Sequence, residues 1–98
     1  MYYSRTASEV FTKIIEVYPN AGPDENRDDD SLENYILWMT EKVMQMNRDS
    51  LEDALKAARW VGWILCMVEE KLGLWDNNFS RDLVRDDVIN GRHLPFTH

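Results

Sequence analysis

The sequence contains a single cysteine, Cys66, among its 98 residues. One thiol cannot form an internal disulfide, so nothing indicates a secreted domain held together by disulfides. Residues 1–5 also lack the apolar core of a signal peptide. We therefore expect a cytoplasmic protein in which Cys66, within an apolar helix, is a packed and unreactive thiol.

Long apolar runs and positive charge are also scarce. The uncharged run from Trp60 to Val68 is about half of the roughly 20 residues that a membrane span requires. Eleven Lys and Arg residues stand against eighteen Asp and Glu residues, which gives a formal net charge of -7. This balance disfavours binding to nucleic-acid phosphates and to anionic lipids. We expect a protein partner, no membrane partner, and no strong affinity for nucleic acid.

The residue patterns of catalytic and metal sites are missing as well. There is no Gly-rich phosphate loop, nucleophile elbow or zinc-binding spacing, and the two histidines are His93 and His98. Counted from Asp24, an EF-hand loop would require Gly at the position of Asp29 and Glu at that of Tyr35. The sequence therefore predicts no metal site, no cofactor and no enzymatic activity.

The central stretch, residues 50–72, has the apolar periodicity of a helix. Its main stripe has alternating spacings of three and four residues and consists of Leu51, Ala54, Ala58, Val61, Leu65, Val68 and Leu72. Trp60, Ile64 and Met67 form a second stripe beside it. Ser50 is the predicted N-cap, and Gly73 is suited to a left-handed C-terminal cap. A helix so widely apolar must be covered by other helices or by another copy of the chain.

Two helices are predicted before the central one. Thr6 and Glu9 form a capping box, which places the first helix start at Thr6, and Pro19 ends that helix. Residues 19–30 form a predicted acidic surface loop. Asp30 is the expected cap of the second helix, whose core-facing residues are Leu32, Ile36, Met39, Val43 and Met46. The short link 47–49 makes the second and third helices an antiparallel hairpin.

A short, charged fourth helix is predicted from Ser80 to the residue before Gly91. Ser80 is its expected N-cap, and Phe79 is expected to contact Val84. Residues 92–98 are predicted to form an extended tail. The whole pattern predicts one all-α domain over residues 1–98, a small bundle of about four helices built on the central antiparallel hairpin.

Candidate binding residues are exposed charges and aromatic anchors. The partner-binding set comprises Asp24, Glu25, Asp28, Asp29 and Asp30 in the loop, Arg81, Arg85, Asp86 and Asp87 on the last helix, and Trp38 and Trp75 as anchors. A second set is predicted to mediate self-association, because Trp and Met are enriched at interfaces. That set comprises Trp60, Trp63 and Met67.

The C-terminal half resembles a group of small, uncharacterised bacteriophage proteins. The resemblance lies in Arg59-Trp60-Val61-Gly62-Trp63, in Leu72-Gly73 and in the charged helix from Ser80, and it departs from the group at 64–66. It implies a phage or prophage accessory protein that acts in the bacterial cytoplasm, and it carries over no catalytic residue.

Three functions remain open at this point. The leading hypothesis is a non-enzymatic accessory protein that binds a host or phage protein and inhibits or modulates a nucleic-acid-handling or defence complex; in one version the acidic loop imitates nucleic acid. The second is a homo-oligomeric structural or assembly factor. The third is a weak helix-turn-helix DNA-binding regulator that uses Arg81 and Arg85, which Asp82, Asp86 and Asp87 on the same helix disfavour.

Overall fold

The computed structural model describes residues 3–47 and 49–90. These residues form four α-helices and no strand. The helices are α1 (Ser4–Val17), α2 (Leu32–Gln45), α3 (Leu51–Glu70) and α4 (Asn77–Asn90), and a 3₁₀ turn at Asp29–Ser31 precedes α2. The predicted all-α bundle is confirmed. The predicted tail, with both histidines, lies outside the described residues.

Helix α1 begins before the predicted capping box. Tyr3 precedes the helix in a left-handed conformation, with φ of 56°, and gives no side-chain cap. Thr6 is not the N-cap; it lies within the first turn and is buried, because its hydroxyl and backbone amide bind Asp87 of α4. The other end follows the prediction, since α1 stops at Val17, just before Pro19.

The entry into α2 uses a different cap from the predicted one. Asp28, not Asp30, accepts a hydrogen bond, from the amide of Asp30 at 3.0 Å, and this contact stabilises the 3₁₀ turn. The predicted core face of α2 is confirmed, with the last member only partly buried. Its buried members are Leu32, Ile36, Met39 and Val43.

Helices α2 and α3 form the predicted antiparallel hairpin. Tyr35 contacts Trp63 and Trp38 contacts Trp60, with ring centroids 5.8 and 5.9 Å apart. A step of three residues toward the C-terminus of α2 thus corresponds to a step of three residues toward the N-terminus of α3, as expected for antiparallel helices. The predicted cap is also confirmed, because the Ser50 hydroxyl accepts a hydrogen bond from the amide of Asp53 at 3.2 Å.

The predicted main stripe of α3 is wrong in its first half. Leu51 is 63% exposed and Ala58 is exposed. The residues that α3 buries instead are Ala57, Val61, Ile64, Leu65 and Val68. Because Trp60 and Trp63 pack on the aromatic side chains of α2, the helix is turned so that the Leu51–Ala58 side faces solvent.

The end of α3 follows the prediction. Gly73 has φ of +60°, the left-handed conformation that glycine adopts without a steric penalty. The amide of Leu74 donates a hydrogen bond to the carbonyl of Val68 at 3.0 Å, and Leu74 packs against the core. These contacts satisfy carbonyl groups at the C-terminus of the helix.

Helix α4 starts earlier than predicted and is not short, since its 14 residues equal the lengths of α1 and α2. Its cap is Asp76, whose carboxylate accepts a hydrogen bond from the amide of Phe79 at 3.0 Å. Ser80 is not a cap: it is 3% exposed and accepts a hydrogen bond from the indole Nε1 of Trp75 at 2.8 Å. The ring of Phe79 contacts that of Trp75 at an interplanar angle of 38°. Helix α4 packs mainly on α1.

Candidate protein-binding surfaces

The acidic loop is exposed, as predicted. Asp24, Glu25, Asp28, Asp29 and Asp30 are all exposed. The loop is also tied to α2, because the amides of Gly22 and Asp24 donate hydrogen bonds, each of 3.1 Å, to the side chain and the carbonyl of Asn34 respectively. Its carboxylates are therefore held near the start of α2 and are open to solvent.

The predicted charged set on α4 divides into two parts. Asp86 forms an ion pair with Arg5 at 3.3 Å, and Asp87 accepts hydrogen bonds at the start of α1. These two carboxylates therefore join α4 to α1. Arg81 and Arg85 are exposed, and Arg85 pairs with Asp82 at 2.8 Å.

The predicted aromatic anchors are half-buried. Trp38 stacks on Tyr35 with centroids 5.8 Å apart, and Trp75 contacts Phe79 in a tilted arrangement with centroids 4.7 Å apart. Both rings therefore have roles inside the fold, and each leaves part of its surface exposed.

The predicted self-association residues line the hairpin. Trp60 and Trp63 are partly buried against the rings of α2, and Met67 is partly buried against the core. A different side of α3 faces outward, and it includes Leu51 and Ala58, which were predicted to lie in the core.

That side is the open face of α3, which we define as Leu51, Leu55, Ala58, Gly62 and Cys66. Their spacings of three and four residues place them on one side of the helix. All five are exposed, Leu51 and Leu55 by 63% each. The expectation of a packed thiol at Cys66 is wrong, because Cys66 is exposed and lines an open groove.

The open face leads into a groove of about 860 Å³ between α3 and α4. Its apolar surface comes from Gly62, Leu65, Cys66 and Val84, and its polar rim includes Glu69, Asn77, Arg81, Asp82 and Arg85. A Cβ atom at Gly62 would meet nothing within 4 Å, so this part of α3 is fully accessible. The groove therefore joins an apolar surface to the exposed Arg81 and Arg85.

A second surface, the aromatic face, lies across the α2–α3 hairpin and consists of Tyr35, Trp38, Trp60 and Trp63. A cation lies over each tryptophan: Arg27 at 5.3 Å from the Trp63 centroid, Lys42 at 5.7 Å from Trp38 and Lys56 at 5.0 Å from Trp60. These cations were not predicted from the sequence. Lys42 follows Trp38 by four residues and Lys56 precedes Trp60 by four, and this helical spacing was the available signal.

Metal-ligand clusters and membrane-spanning helices are both absent from the part of the chain that the structure describes. Within 3–47 and 49–90, no three His, Cys, Asp or Glu side chains converge as metal ligands would. None of the helices in these ranges combines the length and apolar character that crossing a membrane requires.

Comparison of the chain with protein-family models, curated proteins and solved structures finds no match.

Proposed function

We propose that this chain is a non-enzymatic protein-binding protein, and that its binding surface is the open face of α3 with the adjoining α3–α4 groove. The observation that carries the proposal is the exposure of Leu51 and Leu55, 63% each, in line with Ala58, Gly62 and Cys66. Scattered exposed apolar residues are normal, but a continuous apolar strip next to a groove is typical of an interaction site.

The form of this surface suits a helical or extended partner segment. The small side chains at Ala58, Gly62 and Cys66 let a partner backbone approach closely, while Leu51 and Leu55 provide apolar area to bury. Arg81 and Arg85 at the groove rim, with Glu69 and Asp82 beside them, supply charges of both signs that orient a partner.

The finer part of the proposal is a phage-encoded inhibitor or modulator of a host nucleic-acid-handling or defence complex. It is supported by the resemblance of the C-terminal half to small phage proteins. The exposed carboxylates of the loop supply a second, acidic contact for such a partner.

Homo-oligomerisation is the second candidate, and the size gradient along the open face favours it. Leu51 and Leu55 lie at one end, and Gly62 and Cys66 at the other. A two-fold, antiparallel pairing would set Leu55 of one copy against Gly62 of the next, as a self-complementary surface requires.

DNA binding through α4 gains no such support, because α4 packs mainly on α1, whereas the two helices of a helix-turn-helix pack on each other.

The experiment compares Leu55→Gln with Val17→Gln, which replaces an apolar residue of α1 that is 44% exposed. Both variants keep their fold, because exposed substitutions change the free energy of unfolding by about 0.5 kcal/mol or less. Each tagged chain is used to capture proteins from a nuclease-treated bacterial lysate, and its solution mass is measured by light scattering.

We expect wild type and Val17→Gln to retain the same stoichiometric partner or the same oligomer, and Leu55→Gln to lose it. Equal capture and equal mass for all three chains would overturn the proposal. A wild-type chain that is monomeric and captures nothing would overturn it as well.

A further inference from the structure

The aromatic face contains a cavity of about 230 Å³ with a distinctive lining. The lining residues are Arg27, Tyr35, Met39, Arg59, Trp60 and Trp63. Two of these six residues are arginines and, among the described residues, none of the lining is acidic, although the chain as a whole has a net charge of -7. The charge of this lining is thus positive, whereas the adjacent hollow that Arg27 shares with Asp28, Asp29 and Asp30 is acidic.

Both guanidinium groups are accessible. Arg27 and Arg59 are exposed, and the ion pairs within 4.0 Å found in residues 3–47 and 49–90 involve other cations, namely Arg5, Lys13 and Arg85. Asp29 and Asp30 border a neighbouring hollow with Arg27 on the loop side. Arg59 lies on α3 and also lines the cavity, so both arginines contribute to its wall.

Two lysines extend the positive charge along the hairpin. Lys56 lies over Trp60 and Lys42 lies over Trp38. Their ammonium groups are held by the aromatic rings, which lowers the conformational entropy lost when they contact an anion. The aromatic face therefore presents four cations beside apolar ring surface.

We propose that this cavity binds an acidic side chain of a peptide partner, with an Asp- or Glu-rich segment lying along the aromatic face. Arginine forms paired hydrogen bonds with a carboxylate, and the aromatic walls accommodate the methylene groups that carry it. The cavity volume suits a single side chain. The lysines then contact further carboxylates of the same segment.

Single-stranded nucleic acid fits the surface less well. Bases would have to stack on the tryptophan rings, but Arg27, Lys42 and Lys56 already lie over those rings. Carboxylates, in contrast, pair with the cations without displacing them.

This surface is separate from the open face of α3. Trp60 and Leu51 are nine residues apart on the same helix, which places them about 180° apart around its axis. Binding at the aromatic face therefore does not depend on the proposed function. Arg59 follows Leu55 by one helical turn and borders the open face, so the open-face variant that leaves the aromatic face unchanged is Leu51→Gln.

The test uses fluorescence anisotropy with three labelled probes of equal length: a Glu-Ser repeat peptide, its Gln-Ser counterpart and an oligothymidylate. The cavity variant is Arg27→Gln with Arg59→Gln, and the matched control is Arg5→Gln with Lys13→Gln, which removes the same charge from α1, outside both proposed surfaces. Circular dichroism verifies that both stay helical, and Arg59→Lys provides a milder variant that keeps the charge but loses the paired hydrogen bonds.

We expect the Glu-Ser peptide to bind wild type and the control, and the cavity variant to bind it at least about tenfold more weakly. Arg59→Lys should fall between them. Equal binding of the Gln-Ser peptide, tighter binding of the oligothymidylate, or equal loss in both double variants would overturn the proposal.

Discussion

The carboxylate of Asp87 accepts a hydrogen bond from the backbone amide of Thr6 at 2.8 Å and another from its hydroxyl, although 81 residues separate the two in the chain. It also accepts one from the amide of Arg5 at 3.3 Å. Tyr3 provides no side-chain cap for α1. Asp87 therefore satisfies free amides at the start of α1 from a different helix, and its charge lies at the positive end of the helix dipole.

This contact predicts that Asp87→Ala destabilises the fold by about 1–3 kcal/mol, because the Thr6 amide and hydroxyl lose their acceptor. The free energy of unfolding is measured by urea denaturation followed by circular dichroism. Asp86→Ala is the matched control: its ion pair with Arg5 is largely exposed and should contribute about 0–1 kcal/mol. Equal losses in the two variants would show that Asp87 is not the cap of α1.

Two glycines of the α3 region give opposite predictions for the same substitution. Gly73→Ala should lower the free energy of unfolding by about 1 kcal/mol or more, because φ of +60° is unfavourable for a residue with a Cβ. Gly62→Ala should raise it by about 0.5–1 kcal/mol, since an added Cβ meets nothing within 4 Å and alanine favours the helix. Thermal unfolding of both variants tests this, and shifts of the same sign would contradict it.

The roles of Asp76 and Ser80 can be separated by substitution. Asp76→Ala removes the cap of α4 and should cost about 0.5–2 kcal/mol. Ser80→Ala leaves the indole N–H of Trp75 without its acceptor and should cost about 1–3 kcal/mol. Ser80→Asp best distinguishes a capping residue from a buried one. Aspartate would be tolerated at a cap, but at a position that is 3% exposed it would bury a charge and destabilise the fold. A Ser80→Asp chain as stable as wild type would restore Ser80 as the cap.

The features that were predictable from the sequence depend on residues close together in the chain. Pro19 ends α1, Ser50 caps α3 and Gly73 ends it, and each of these acts on amides or carbonyls within a few residues. Helical periodicity likewise located the core face of α2, because that face is buried along nearly its whole length.

The features that were not predictable depend on distant partners. Thr6 matches the N-cap position of a capping box in the sequence. In the fold, its hydroxyl instead donates a hydrogen bond to Asp87 of α4. Leu51 and Ala58 have the spacing of a core stripe, but α3 is turned by the rings of α2. Each apolar side of α3 satisfied the same periodicity, so only the neighbouring helix decides which side is buried. The open face, and with it the candidate binding surface, could not be identified before that orientation was known.

The edge-to-face contact between Tyr35 and Trp63 yields the last prediction. Their ring centroids are 5.8 Å apart at an interplanar angle of 82°, an arrangement that adds about 0.5–1.5 kcal/mol beyond the burial of the rings. A double-mutant cycle with Tyr35→Ala and Trp63→Ala should therefore give a coupling energy in that range. The control cycle pairs Trp63→Ala with Phe79→Ala, because the ring of Phe79 contacts Trp75 instead, and it should be additive within about 0.3–0.5 kcal/mol.

The same contact decides how Trp63→Glu behaves. If Trp63 lay at an interface between copies, this variant would remain folded and become a smaller species. Because the ring packs between α2 and α3, we expect instead a lower free energy of unfolding, by about 2 kcal/mol or more, since a charge replaces a partly buried aromatic ring. Light scattering and urea denaturation on one sample separate the two results. A Trp63→Glu chain that is as stable as wild type but smaller in mass would show that copies of the chain associate through the tryptophans. It would contradict association through the open face of α3.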